Sequence, residues 1–329
     1  MTEITQPDVE DHDLQASAPD VRLGLSRAGV RGVEKAVRIH YGGREKVMTA
    51  TIDCTVDLDP GQKGVHMSRF PELLEEAIDT VVLEEASLVE ELAEHVARHI
   101  VERQGAGRAE VQIAARYPIA RQTPVTGLPT QELVGLIGIA AASEQGSRSL
   151  VGVEANGINA CPCAQGLVRR RAWDRLREAG FADLDVERIL ELVPIATHNQ
   201  RGRGTLFVGT DAPVNAERLV EIVESSMSAP VYELLKRPDE VFVVEHAHLR
   251  PRFVEDSVRH ALLGVVDAYP ALAEADFLLS RQLNFETIHS HDVIAERWGT
   301  VGEIRGELEN GGEPLARHTT LQDWLASVG

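Results

Sequence analysis

The strongest constraint on the fold is a strict alternation of apolar and polar residues near the start of the chain. From Met48 to Leu58 every second residue is apolar. Successive side chains of a strand point to opposite faces, so this spacing predicts a strand with one buried face. A second alternating segment, 37–41, precedes it across Gly42-Gly43. The two segments predict an antiparallel hairpin at the start of the folded part.

Paired helices and further strands are predicted beyond the hairpin. In the first half, apolar spacing predicts helices over 71–85 and 88–100 and a strand at 111–115. The apolar run after the Pro/Gly-rich TPVTGLPT fits either a helix or a strand. In the second half the pattern predicts helices at 166–194, 216–227 and 253–268, and strands at 150–153, 205–209, 241–244 and 277–283. Paired strands around paired helices predict an α+β fold with antiparallel sheets and helices layered on them.

The charge balance limits the partners of this chain. It has 33 basic and 52 acidic residues, a net charge of −19. This balance argues against broad nucleic-acid binding, which needs a basic surface. Only four basic residues are lysines, at positions 35, 46, 63 and 236. Such an acidic, lysine-poor surface suits a salt-rich cytoplasm, because salt screens the repulsion between carboxylates. The alternative is an ordinary acidic protein from a GC-rich genome.

The termini and cysteines predict a cytoplasmic protein. No stretch reaches 18 uninterrupted apolar residues, so no membrane span is expected. The acidic segment 1–20 has no apolar core of a secretory signal and is expected to be a disordered tail. The segment 310–329 is expected to be a peripheral tail. The three cysteines, Cys54, Cys161 and Cys163, are too few for a disulfide framework and suit a reducing compartment.

The segment Cys161-Pro162-Cys163 is the first candidate for chemistry. Residues i and i+2 of an extended segment point the same way, so two thiols on one side can bind a metal. The chain has no second cysteine pair, so any metal must take its other ligands from histidines or carboxylates. The alternative is a buried, inert thiol pair.

Four further clusters carry residue types that suit metals or anions. In THNQRGRG, His198 is followed by two arginines set among two glycines, which suits an anionic ligand and a metal. The alternative is a hydrogen-bonded surface histidine. KGVHMSRF lies at a helix entrance, where it suits a phosphate or forms only a solvated cap. Glu255 could be no more than a surface partner of Arg259, four residues on. His289 and His291 are spaced so that both can reach a metal.

Taken in order, seven motifs resemble one family. KGVHMSRF, PVTG, CPCAQ, THNQRGRG, LLKRPDE, FVED and NFETIHSH resemble the GTP cyclohydrolases of the archaeal methanopterin type (MptA) and the related bacterial type IB enzymes, over about residues 20 to 296. The resemblance implies the tunnelling fold, with two tandem ββααββ units at 21–160 and 161–309. It also implies oligomeric barrels with active sites at subunit interfaces. The helical segment of about 166–194 is an insertion relative to the bacterial pattern.

The resemblance also implies roles for individual residues. It implies a metal site made by Cys161, His198, Glu240 and His289. Of these, Cys161 and His198 are the expected catalytic residues. Substrate binding is implied for Glu255, Lys63, His66, Arg69 and Arg201. The implied metal is Fe(II), one per subunit, with Zn or Mn as substitutes, and the implied assembly is a homodimer or a tetramer.

The resemblance implies a hydrolytic reaction on GTP. Water adds at C8 of guanine, formate is lost, and ring closure gives 7,8-dihydroneopterin 2′,3′-cyclic phosphate and pyrophosphate, the first step of pterin synthesis. A bound cation lowers the pKa of water, and a carboxylate can accept two hydrogen bonds from guanine. Two alternatives remain at this point. One is a related nitrile reductase that uses NADPH, and the other is a non-enzymatic metal-binding or redox protein built on CPC.

Overall fold

The strands form one antiparallel sheet onto which the helices pack. The computed structural model describes residues 15, 17–41, 44–84, 88–311 and 318–327. Within these residues the elements of the first half are β1 Leu25–Tyr41, β2 Arg44–Leu58, α1 Arg69–Glu84, α2 Val89–Gln104, β3 Arg108–Gln122 and β4 Pro129–Ser143. Those of the second half are β5 Gly146–Ala160, α3 Pro162–Glu178, α4 Asp183–Leu192, β6 Asn199–Gly209, α5 Ala216–Ser226, β7 Ala229–Pro230, α6 Arg237–Leu249, α7 Val254–Ala268, β8 Phe277–Asn284, β9 Val293–Thr300, α8 Val301–Glu309 and α9 Leu321–Ala326.

The element order contains the same unit twice. The first unit runs β1-β2-α1-α2-β3-β4, and the second runs β5-β6-α5-α7-β8-β9, with α3, α4, β7 and α6 inserted. The described strands pair in the order β1-β2-β3-β4-β5-β6-β8-β9, and β7 pairs with β5. This confirms the α+β class and the two tandem ββααββ units. The second unit begins at Gly146, earlier than the division at 161, because β5 continues the sheet directly from β4.

The main core lies between the sheet and the paired helices of both units. In β2 the alternating residues from Met48 to Leu58 are all buried, as the sequence predicts. The apolar stripe of α2 is also buried, and Gly105 ends this helix with a φ of 62°. The helix lies so close to β4 that a Cβ at Gly138 would stand 2.4 Å from the carbonyl oxygen of Val89. Glycine at 138 therefore permits the helix to approach the sheet.

The prediction of a strand at 241–244 is wrong, because this segment lies inside helix α6. Its β-branched residues suggested a strand, yet Val241 and Val244 are each 57% exposed on the helix surface. The helix is started by Pro238 in its first turn and by Asp239, whose carboxylate accepts a 2.9 Å bond from the backbone N–H of Lys236. Local capping thus outweighs the β-propensity of the side chains. The other undecided run, after TPVTGLPT, is strand β4.

The C-terminal segment contains a packed helix rather than only a peripheral tail. Trp324 of α9 is buried against Phe277, with ring centroids 5.6 Å apart, on the sheet face opposite the main core. Its indole N–H donates to the carbonyl oxygen of Ala275 at 2.8 Å. Residues 321, 324 and 325 form one apolar face, which explains why this short helix docks.

Parts of the termini and of the first hairpin lie outside the described residues. Of the predicted acidic tail, residues 1–14 and 16 fall there, as does the predicted turn at 42–43. The strands on either side of that turn pair in the expected antiparallel register, with Tyr41 opposite Arg44. No helix in the part of the chain that the structure describes has the length and apolar character needed to span a membrane.

Candidate functional site

The pocket that gathers the candidate residues lies at one edge of the sheet, where β5 and β8 end and the neighbouring β6 and β9 begin. Cys161 directly follows β5, His198 directly precedes β6, and Ala160 is paired with Asn199 in the antiparallel register. The backbone N–H of Cys161 donates to the carbonyl oxygen of His198 at 3.1 Å. The end of β8, the start of β9 and the first turn of α7 complete a pocket of about 450 Å³. A larger pocket of about 500 Å³ beside α9 has neither cysteine nor histidine in its lining.

Cys161 occupies the N-cap of α3. Its Sγ accepts a 3.5 Å hydrogen bond from the backbone N–H of Ala164, and Pro162 starts the helix. The hydroxyl of Thr197 donates to the Cys161 carbonyl at 2.7 Å and ties the cysteine to the segment of His198. Cys163 is exposed and does not line the pocket.

His198 belongs to a chain of polar contacts that ends in a buried carboxylate. Its Nδ1 lies 3.1 Å from Oε1 of Gln200, whose Nε2 donates to Oε1 of Glu286 at 3.2 Å. If Nδ1 carries the proton, as the Gln200 oxygen requires, Nε2 keeps a free lone pair. The other oxygen of Glu286 is buried without a hydrogen-bond partner and lies 3.8 Å from the histidine Nδ1.

Gln200 and Glu286 are site residues that the sequence analysis missed. Both line the pocket, and the side chain of Glu286 is only 7% exposed. The available signal for Glu286 was its position three residues before His289 in NFETIHSH. Gln200 follows His198 by two residues, so on the strand both side chains fall on one face.

His289 and His291 lie at the mouth of the same pocket. Their rings stack with centroids 5.3 Å apart and planes 17° from parallel. Both side chains are exposed. The i, i+2 spacing therefore brings the two rings together at the pocket, while a metal-binding role for His289 stays a prediction.

A buried network of amide and hydroxyl groups supports the pocket floor. Asn159 of β5 donates to Oγ of Ser257 and to Oδ1 of Asn284, each at 3.1 Å. Gln282 donates to the same Asn284 oxygen at 3.0 Å. These four side chains are at most 2% exposed. Buried polar groups that satisfy one another in this way hold strands β5 and β8 and helix α7 in a fixed relation.

Glu255 lies in the first turn of α7 and also lines this pocket. Its side chain is exposed to the pocket mouth. The alternative ion pair with Arg259 is not formed, because Arg259 Nη1 pairs with Asp256 at 3.0 Å. Arg252, two positions before the helix, contributes a guanidinium to the lining and donates to the carbonyl oxygens of residues 225 and 226.

Glu240, the fourth predicted metal ligand, does not line the pocket. It is exposed on the first turn of α6, whereas its neighbour Asp239 is fully buried. Asp239 accepts bonds from the backbone N–H groups of Val125 and Thr126 at 2.8 and 2.9 Å and from the Thr126 hydroxyl at 2.7 Å. Although burial raises the pKa of Asp239, these hydrogen bonds and that from Lys236 hold it well below its usual value. Asp239 thus fixes α6 to the PVTG turn.

The predicted phosphate-binding residues are separated from the pocket within one chain. Within the first unit, Lys63 and His66 lie in the loop before α1, and Arg69 is the first residue of that helix. None of the three lines the pocket. Arg201 is exposed on β6, on the strand face opposite Gln200. One chain therefore brings together Cys161, His198, His289 and Glu255, but not the remaining five predicted residues.

The donor types in the pocket fit a divalent cation only in part. A thiol, an imidazole and a carboxylate oxygen without a hydrogen-bond partner face one space, which is the mixture expected of a catalytic metal site. However, within the described residues no group of three or more Cys, His, Asp or Glu side chains stands at metal-binding spacing. The chain supplies ligands of the right chemistry without a closed cage.

Comparison with known proteins shows a close relationship in sequence. Residues 12–295 match the family model described as type I GTP cyclohydrolase folE2. The chain is 41% identical to "GTP cyclohydrolase MptA" of Methanococcus aeolicus over 308 residues, which cover 90% of this chain and 99% of that protein. It is 38% identical to the protein of the same name from Methanocaldococcus jannaschii, over 90% and 97% of the two chains.

A weaker likeness exists to a solved structure. Uricase from Arthrobacter globiformis aligns with a TM-score of 0.49 and 8% identity over 86% of this chain and 96% of that chain. At this distance the likeness says nothing about the reaction.

Proposed function

Because this chain belongs to the type I GTP cyclohydrolase family folE2, we propose that it opens the guanine ring of GTP in pterin biosynthesis. The observation that carries the proposal is the pocket in which Cys161, His198, Glu286 and Glu255 meet. The family supplies the substrate and the general reaction. The proposed product is 7,8-dihydroneopterin 2′,3′-cyclic phosphate, with formate and pyrophosphate released.

Glu255 is the proposed anchor for the base. A carboxylate can accept hydrogen bonds from N1–H and the 2-amino group of guanine, a pair of donors that adenine lacks. The exposed position of Glu255 on the pocket wall leaves its oxygens available for such a ligand. Holding the guanine from this side orients C8 toward the pocket interior, where Cys161 and His198 lie.

The series of polar contacts from His198 through Gln200 to Glu286 is proposed to take part in proton transfer. Gln200 fixes the imidazole and joins it to Glu286, so the free nitrogen of the ring faces the reacting atoms. Glu286 is buried with one oxygen unpaired and can accept a proton from water or return it to the leaving nitrogen. Glu286 is thus the proposed base and then acid of the pocket, while the remaining nitrogen of His198 stays available to hold a cation.

We further propose a divalent cation, Fe(II) with Zn or Mn as substitutes, held by Cys161 and His198. When bound, such a cation makes water acidic enough to act as a nucleophile near neutral pH. His289 and Glu240 are the proposed additional ligands. The donor types alone do not select one metal.

A second copy of the chain is proposed to complete the site. Glu240, Lys63 and Arg69 are exposed in a single chain and His66 is half-buried, yet all four stand in the motifs that resemble the family. Beside Glu240, α6 exposes an apolar surface that includes Val241 and Val244, each 57% exposed. Exposed apolar surface next to polar site residues is typical of an interface. This arrangement supports an active site formed between subunits of a homodimer or tetramer.

The function is tested by anaerobic incubation of the purified, metal-stripped protein with GTP and added Fe(II). Formate and a fluorescent pterin should appear only when both are present. Parallel samples with Zn, with Mn and without metal measure the metal dependence. A sample in which NADPH is oxidised and GTP is not consumed would instead indicate a nitrile reductase. GTP turnover that is equal with and without metal would remove the cation from the proposal.

The shared site is tested by mixing two inactive variants. Cys161→Ala and His66→Ala disable different halves of a site formed between subunits. Mixed oligomers that form by subunit exchange between the two variants should regain a fraction of wild-type turnover, because some of their interfaces then carry both native halves of the site. A mixture that stays inactive after demonstrated subunit exchange would place both residues in the same half or outside the site.

A further inference from the structure

The inserted hairpin α3–α4 projects from the second unit with few contacts to the rest of the molecule. No residue of α3 is buried, and α4 buries only Val186 and Leu190. The two helices pack chiefly on each other. Arg169 donates to the carbonyl oxygen of Leu190 at 2.7 Å, and Arg177 forms an ion pair with Asp183. The hairpin is therefore a defined element whose outer surface has no partner among the described residues.

The two helices carry opposite charge. Helix α3 contains five arginines and two carboxylates, whereas α4 contains four carboxylates and one arginine. In a chain with a net charge of −19, the arginine-rich α3 is an exception. Each helix also exposes large apolar side chains, among them Leu167 at 68% on α3 and Leu184 at 74% on α4.

The like charges within each helix are not neutralised inside the chain. Arg171 and Arg175 stand four residues apart on α3, and Glu187 and Glu191 do so on α4. Like charges at this spacing destabilise a helix. Within the described part of the chain none of these four side chains forms an ion pair, unlike Arg177. A partner that brings the opposite charges at the same spacing would relieve both repulsions.

We propose that the α3–α4 hairpin is a self-association surface, on which α3 of one copy packs against α4 of a second copy. A two-fold axis makes such a contact self-complementary, because each copy presents both the basic and the acidic helix. The matching four-residue spacing places Arg171 and Arg175 opposite the partner's Glu187 and Glu191. Leu167 and Leu184 supply apolar contact beside these charges.

The charge of α4 argues against a polyanionic partner. A nucleic acid or an anionic membrane that approached α3 would also meet the carboxylates of α4 and the strongly negative chain. A second copy meets no such penalty locally, since its acidic helix faces the basic one. At long range the two copies repel each other, and salt reduces this repulsion.

Charge reversal tests the proposal. Arg171→Glu with Arg175→Glu reverses the stripe of α3, and Glu187→Arg with Glu191→Arg reverses that of α4. All four side chains are exposed, and neither pair disturbs the buried Val186 and Leu190. A third protein carries all four substitutions. The measurement is molecular mass across a dilution series at about 0.1 M salt, where charges are screened beyond about 10 Å.

Each double reversal should raise the dissociation constant about tenfold or more, because four contacts between opposite charges are lost across the two-fold axis. The fourfold variant should return to within about threefold of wild type, since the charges are again complementary. A matched control, Glu102→Arg with Glu309→Arg, changes net charge as the α4 reversal does but lies on exposed positions outside the hairpin. It should leave the dissociation constant unchanged.

Three results would overturn the proposal. The mass curves of both double reversals could coincide with wild type. The fourfold variant could associate more weakly than either double reversal. The α3 reversal could lower kcat/KM for GTP without changing the mass curve, in which case the arginines serve the triphosphate of the substrate rather than a second copy.

Discussion

Replacing Glu90 by Gln should stabilise the protein at alkaline pH and leave it nearly unchanged in acid. Glu90 lies in the first turn of α2, and its Oε2 is buried without a hydrogen-bond partner. Burial raises the pKa of this carboxyl from 4.5 to about 7, against a smaller lowering by a backbone hydrogen bond. In the unfolded chain the group ionises near the ordinary value, so the folded chain retains a proton that the unfolded chain has lost.

The sign and size of the effect follow from this difference. Below pH 4.5 both states are protonated and Glu90 contributes no pH dependence. Between 4.5 and about 7 the unfolded state is favoured increasingly as pH rises. Above that range the full penalty of about 3 kcal/mol applies, because one pKa unit corresponds to about 1.4 kcal/mol. Glutamine resembles the protonated carboxyl and does not ionise, so Glu90→Gln removes the penalty.

The assay is urea unfolding of wild type and variant at fixed protein concentration, at about pH 5 and about pH 8. The stability gained by Glu90→Gln should be below about 1 kcal/mol at the lower pH and about 3 kcal/mol at the higher. Glu102→Gln, on an exposed position of the same helix, serves as the control and should show no such difference. An equal gain at both pH values would refute a desolvated carboxyl at position 90.

Three further predictions concern the site and the charge of the chain. Cys161→Ala should reduce turnover to below about a tenth of wild type without lowering the thermal midpoint, because the open site loses a sulfur ligand. Cys163→Ala should have a milder effect. A Cys161→Ala enzyme that binds metal and keeps more than about a tenth of the wild-type rate would contradict the assignment. Glu255→Gln should lower kcat/KM for GTP by about 5- to 150-fold, since a donor then faces guanine N1–H or the 2-amino group at a cost of about 1–3 kcal/mol. Metal content should stay constant in Glu255→Gln, and its loss would make this residue a ligand. Unfolding midpoints should rise from low to molar KCl as salt screens the net charge of −19, and a flat profile would contradict adaptation to salt.

The strands and helices with regular apolar spacing could be predicted from the sequence. The alternation in β2 and the stripe of α2 report directly on burial, and both are buried as expected. Helix α6 could not be predicted in this way, because two of its three valines, Val241 and Val244, are exposed. Its start also depends on Asp239, which contacts a turn more than 100 residues earlier. Neither strand β9 nor helix α9 has a strong local pattern. Strand β9 is defined by its pairing with β8, and helix α9 is defined by its packing against the sheet.

The site shows the same division between local and distant information. The motifs identified Cys161, His198, His289 and Glu255, and the structure brings these four to one pocket. Their meeting depends on the pairing of β5 with β6, which no single segment specifies. Glu286 escaped attention because its importance comes from burial and from a contact with Gln200, 86 positions away. For Glu240 the motif gives an expected role that one chain alone does not bring to the pocket.

The most direct test of the account is the fate of C8 of the guanine ring. GTP labelled with ¹³C at C8 is incubated anaerobically with the purified protein and Fe(II), and the label is followed by NMR. The account predicts one equivalent of labelled formate for each GTP consumed, together with pyrophosphate and an unlabelled dihydroneopterin cyclic phosphate. Label that remains in a purine, or GTP lost only as GDP and phosphate, would contradict the proposed ring opening.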